Sequence, residues 1–144
     1  MTATATSSSR ADEKAAVAVV AHALGFVVSS ASVDGVVVEN NMETDEDHLA
    51  NLACIWAALI IGRDWHGREI TDDDRAKIEA VAAEHLNNVA DAVSASYTTA
   101  LDIIEKHDAA IVALAVDITD AAMTNDDIEG DTLAELLAEV RYDG

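Results

Sequence analysis

A chain of 144 residues has room for one hydrophobic core and would leave two separate domains each marginal. Its formal charge of -20, with eight Lys and Arg against 28 Asp and Glu, excludes a phosphate-gripping surface and disfavours an anionic membrane, so neither nucleic acid nor membrane is expected as a partner. Hydrophobic residues at 51% with aromatics at only 3% describe a core of Ala, Val, Leu and Ile, as in closely packed helices.

Residues 1–9, a run of Thr, Ala and Ser without a basic region, read as a flexible N-terminal tail, and 10–144 as a single domain. From Arg10 to Leu24 alanines and valines recur at helical spacing, and Gly25 stands where a left-handed residue would end the helix. Phe26 to Val38 is rich in Val and Ser, and Asp34-Gly35 between its two halves predicts a β-hairpin. Thr44, followed by Asp45, Glu46 and Asp47, opens a second helix that the pattern carries to Gly62.

Arg63 to Ile70 reads as a loop, in which Trp65 and His66 form the best candidate contact surface because Trp is enriched at binding hot spots. The competing expectation is that Trp65 folds back over the helix ends as core. Thr71 ahead of Asp72, Asp73 and Asp74 repeats the capping pattern, and the stretch to Ala122 without Gly or Pro reads as two helices broken near Ser94 to Thr99. A last helix is expected from Asp131 or Thr132 to near Arg141. The predicted fold class is therefore mainly α: a helical bundle with a small β-hairpin after the first helix.

The single cysteine, Cys54, lies inside the apolar run Ala53 to Ile61, which allows no intramolecular disulfide and suits a reducing, cytoplasmic setting. The apolar stretch Leu49 to Ile61 is shorter than the ~20 residues that cross a bilayer. None of His22, His48, His66, His85 and His107 has a second His one turn away, so no H-E-x-x-H zinc helix is present. Asp45, ahead of His48, is the one carboxylate three residues before a histidine, and no Glu stands at that spacing. Asp73 and Asp74 are weak candidates for a cation, in competition with a plain role as helix-start charges. Serine-hydrolase and phosphate-loop signatures do not occur.

Ala18-Val19-Val20-Ala21-His22-Ala23-Leu24-Gly25 resembles the segment that follows the zinc motif in the peptidase domain of FtsH-type ATP-dependent zinc metalloproteases. The resemblance puts Glu13, Lys14 and Val17 at the positions of the first His, the catalytic Glu and the second His, and Asp73 or Asp74 at the third ligand. It continues weakly through Cys54 to Leu59, where Ala57-Ala58 is kept and Leu59 replaces a Glu, to helices at Ile104 to Ala115 and Ile128 to Leu137.

The resemblance implies a peptidase-like domain whose catalytic motif is degenerate. Zinc would be the family cofactor, yet none is expected here. A non-catalytic role in binding a protein or peptide is the leading expectation, with self-association open to an Ala-rich helix. Two alternatives stand beside it: an acidic interaction or DNA-mimic protein of phage or halophile type that blocks a basic partner, and a residual metal-dependent peptidase.

Overall fold

The computed structural model describes residues 2–39 and 44–140, with side chains from residue 10 onward in the first of these segments. The described elements are α1 (Thr2–Ala23), β1 (Val27–Ala31), β2 (Val36–Glu39), α2 (Asp45–His66), α3 (Asp72–His85), α4 (Val89–Lys106), α5 (Asp108–Ala122), β3 (Ile128–Glu129) and α6 (Gly130–Leu137). The protein is mainly helical with a small antiparallel sheet, as its composition and periodicity predict.

The core forms where α1 lies between α2 and α5, with α4 packed mainly on α2 and also reaching α1. Ala11, Ala15, Ala16, Val19 and Val20 of α1 are fully buried, together with Leu52, Ile60 and Ile61 of α2 and Ile111, Leu114 and Ile118 of α5. Small side chains along α1 let its neighbours approach closely. At Gly62 a Cβ would stand 3.0 Å from Glu13 Oε1.

Both predicted capping boxes are present. The Thr44 hydroxyl accepts from the Asp47 N–H at 3.1 Å while the Asp47 carboxylate accepts from the Thr44 N–H at 3.2 Å. Thr71 and Asp74 make the same exchange at 3.2 and 3.1 Å. Two otherwise unpaired backbone donors are satisfied at the start of each helix, and the neighbouring carboxylates face the positive end of its dipole.

Several boundaries differ from the sequence reading. The first helix starts at Thr2 rather than Arg10. Gly62 does not end α2, which continues to His66. Gly67, at φ 68°, is the left-handed cap, donating to Arg63 O while the Arg68 N–H reaches Gly62 O at 2.9 Å. Ser94 to Thr99 lies within α4: the Ser96 hydroxyl donates to Val93 O at 3.0 Å and that of Thr98 to Ser94 O at 3.1 Å, so they bond inside the helix instead of breaking it. The breaks fall at Leu86–Asn88, where the Asn88 side chain caps α4, and at His107, giving three helices where two were expected.

The hairpin turns one residue earlier than Asp34-Gly35 suggests. Ser32 and Gly35 exchange backbone hydrogen bonds at 2.9 and 3.3 Å, which leaves Val33 and Asp34 as the loop. β1 also pairs with β3, a strand absent from the sequence reading, so the order is β2-β1-β3 and β2 lies at an edge. Ile128 and Glu129 are thus strand rather than helix, and α6 begins at Gly130.

Candidate functional site

The antiparallel packing of α1 on α2, the inner face of β2 and the first turns of α3 enclose a groove of about 750 Å³. Val17 contributes from α1. Val36 and Val38, alternate residues of β2, form one wall, and Phe26 closes the end where α1 turns into β1. Cys54, Ile55, Ala58 and Leu59 line the floor at helical spacing. The polar groups on the wall are Asn51 of α2 and Asp74 and Lys77 of α3, the last two one helical turn apart.

Val17 and Asp74, distant in sequence, therefore border the same space, whereas Asp73 is exposed and does not line it. Asp74 is committed to its capping box, and the hydrogen bonds from Thr71, first its backbone N–H and then its hydroxyl, hold the carboxyl below the ordinary range. Burial pushes the Cys54 thiol up to about 12, so it remains protonated at neutral pH.

The other motif positions turn away from donor chemistry. Glu13 pairs with Arg68 at 3.1 Å, and its side chain is only 18% exposed. Lys14 would bring a positive charge to a cation site, and Val17 has no donor atom. These residues do not fit a zinc ion in the manner of the peptidase family. Among the described residues, no three His, Cys, Asp or Glu side chains gather as a ligand set would. Of the Asp45–His48 pair, the His48 ring stacks on that of His85 with centroids 4.1 Å apart and planes 6° from parallel.

Trp65 and His66 are placed in the last turn of α2, not in a loop. His66 Nε2 lies 2.7 Å from Asp12 Oδ2 with both side chains largely covered, and Trp65 packs against the core while bordering a separate cavity beside α5. The expectation that Trp65 covers the helix end is closer to this arrangement than an open contact surface.

The sequence reading passed over Asn51, Lys77 and Phe26 as groove residues. Asn51 had a visible signal, a polar residue four before Ile55 and eight before Leu59 on one face of an otherwise apolar run. Lys77 and Phe26 join the groove through tertiary packing and carried no local mark.

Compared with known proteins, the chain matches no family model, and no curated protein matches it. Among the described residues, no helix is long and apolar enough to cross a membrane.

Proposed function

We propose that this protein is a non-catalytic, peptidase-like binding domain that takes an extended peptide segment of a protein partner in the groove beside β2. The observation that carries the reading is the position of an edge strand over an apolar floor. Among the described residues β2 is hydrogen-bonded on one side only, to β1, and it alternates groove-facing Val36 and Val38 with exposed Val37. A peptide added along that edge would gain backbone hydrogen bonds and set every second side chain over Ile55, Ala58 and Leu59.

The resemblance to a zinc peptidase lends support, because Val17, at the position of one metal ligand, and Asp74, one of the two residues offered for another, border the same groove. The chemistry there suits holding rather than cutting. Neither a metal-held water nor a free general base is provided by Val17, a protonated thiol and a carboxylate engaged in capping a helix. The acidic-decoy reading has less support, since the carboxylate runs at Asp45–Asp47 and Asp72–Asp74 already serve the starts of α2 and α3.

Selection from a displayed library of extended peptides tests the proposal. Selected peptides should perturb the amide resonances of Val36, Val38, Ile55 and Leu59, lose affinity for a Leu59→Arg variant, and emerge uncut after long incubation. Equal binding to Leu59→Arg would show that the groove is not the site, and cleavage of a bound peptide would overturn the non-catalytic assignment.

A further inference from the structure

We infer that the cavity bordered by α2, α3 and α4 is a binding site for a small carboxylic acid with an aromatic or branched apolar body. It is separate from the groove beside β2, so the inference does not depend on the peptide-binding reading.

The chain holds two Trp, two Tyr and one Phe, and only eight Lys and Arg against 28 Asp and Glu. One cavity of about 330 Å³ nevertheless brings together Trp56, Tyr97, Arg63 and Arg75. Helical spacing puts them there. Trp56 and Arg63 stand two turns apart on α2, Val93 and Tyr97 one turn apart on α4, and Arg75 and Glu79 one turn apart on α3. Apolar walls with a few charged groups among them are the usual make-up of a small-molecule site.

The cations select an acid. Arg10, Arg63, Arg68 and Lys106 each stand 3.2 Å or less from a carboxylate of this chain. Arg75 makes no ion pair among the described residues, although Glu79 follows it at the i, i+4 spacing, where a cation ahead of a carboxylate is the weaker order. Arg63 turns one edge to Asp64, with Nε 2.8 Å from Oδ1 and Nη2 3.4 Å from Oδ2, and its guanidinium lies 5.6 Å from the centre of the Tyr97 ring. Its Nη1 takes no part in that pairing. Two guanidiniums therefore border one apolar space, and the planar fork of each suits a carboxylate.

The walls decide against a bare anion such as phosphate. An ion without an apolar body would leave Trp56, Val93 and Tyr97 uncovered and would meet the field of a chain of charge -20. An acid with an apolar body covers those walls and brings a single negative charge. Trp56 adds an independent reason, because its ring is buried and its indole Nε1 has no hydrogen-bond partner among the described residues. A buried N–H calls for an acceptor; the chain supplies none, and the ring borders this cavity. Glu79 offers a further selection, since an acid that also carries an ammonium group, as a free amino acid does, can set it against this carboxylate.

NMR titration of the isotope-labelled full chain with phenylpropionate, phenylalanine and phenylpropionamide tests the inference. Phenylpropionate or phenylalanine should shift the Trp56 indole N–H and the Tyr97 amide saturably, with a Kd of about a millimolar or tighter. The amide, with the same body and no charge, should bind roughly tenfold or more weakly. Arg75→Gln should weaken the acid by roughly tenfold or more with an unchanged circular dichroism spectrum, because Arg75 is exposed and unpaired. Tighter binding of phenylalanine than of phenylpropionate, with the advantage lost in Glu79→Gln, would extend the site to the ammonium group. No saturable shift with either acid, equal binding of the amide, an unaffected Arg75→Gln, displacement by inorganic phosphate at equal concentration, or shifts confined to Val36 and Val38 would each overturn it.

Discussion

His66 Nε2 stands 2.7 Å from Asp12 Oδ2, joining the last turn of α2 to the middle of α1 across 54 residues of sequence. Glu13, the next residue on α1, reaches Arg68 just beyond the cap of α2 at 3.1 Å. Two polar links thus fix the end of α2 whose small residue, Gly62, already admits the Glu13 side chain. The Asp12–His66 link is the better covered, with side chains 16% and 22% exposed, against an Arg68 side chain that is 54% exposed. A double-mutant cycle of Asp12→Ala and His66→Ala should therefore give a coupling of about 1 kcal/mol, and Glu13→Ala with Arg68→Ala a smaller one. Urea denaturation of the variants measures both, and a larger coupling for the second pair would contradict the burial argument.

Trp56 sits in the core at 4% exposure, edge-on to Tyr97 with ring centroids 5.0 Å apart, and its indole Nε1 has no hydrogen-bond partner. An unpaired buried donor costs about 1–3 kcal/mol. Replacing the indole by phenyl gives up apolar contact of similar worth but removes that donor. Trp56→Phe is expected to change stability by no more than about 1 kcal/mol, whereas Trp56→Ala should lose about 3–5 kcal/mol by leaving a cavity. If the phenyl variant were as damaged as the alanine one, the unpaired indole would not be costing the fold anything.

These contrasts show which parts of the architecture can be read from residues alone. Local hydrogen-bonding devices were legible: Thr44 with Asp47 and Thr71 with Asp74 each contain both halves of a reciprocal bond within four residues. The hairpin was legible through Asp34-Gly35, although its turn is set one residue earlier by Ser32. The end of α2 was not, because Gly62 and Gly67 both offer a stop, and it is Gly67 that takes the left-handed conformation while Gly62 stays in the helix beside the Glu13 side chain. β3 was illegible for a different reason. Two residues, Ile128 and Glu129, are too few for a period, and they become strand only because β1 offers them an edge. The groove depends in the same way on α1, β2 and α3 meeting: the resemblance pairs Val17 with Asp73 or Asp74, and of those two it is Asp74 that lines the groove with Val17.

His22, in the last turn of α1, borders the space between Val28 of the sheet and Leu133 and Leu137 of α6. A helix C-terminus favours a positive charge, yet burial prevails and lowers the imidazole below its ordinary value. The unfolded chain therefore takes up this proton more readily than the folded one. Its contribution to stability is full above about pH 6.5 and is lost as pH falls toward the lower folded value. A His22→Gln variant should show a shallower fall in urea midpoint than the wild type on going from neutral to mildly acidic solution. Identical slopes would assign the acid sensitivity to other groups.

Restoring donors to α1 tests the peptidase resemblance separately from the binding role. Glu13→His and Val17→His place two imidazoles four residues apart on one face of the helix, Lys14→Glu supplies the carboxylate between them, and Asp74 already lines the groove that Val17 borders. Glu13→His gives up a pairing with a half-exposed Arg68, worth less than about 1 kcal/mol, and must fit an imidazole beside Gly62, so the fold of the variant is checked by circular dichroism first. The triple variant is expected to retain near-stoichiometric zinc after desalting, measured by elemental mass spectrometry, while the wild type handled identically gives the background. Zinc retention should also fall in a quadruple variant that adds Asp74→Ala, since the carboxylate would then be missing from the set. A folded triple variant that holds no zinc would remove the resemblance as an argument about α1 and α3, but it would leave the edge strand and its apolar floor, and so the peptide-binding proposal, to be judged on the peptide selection alone.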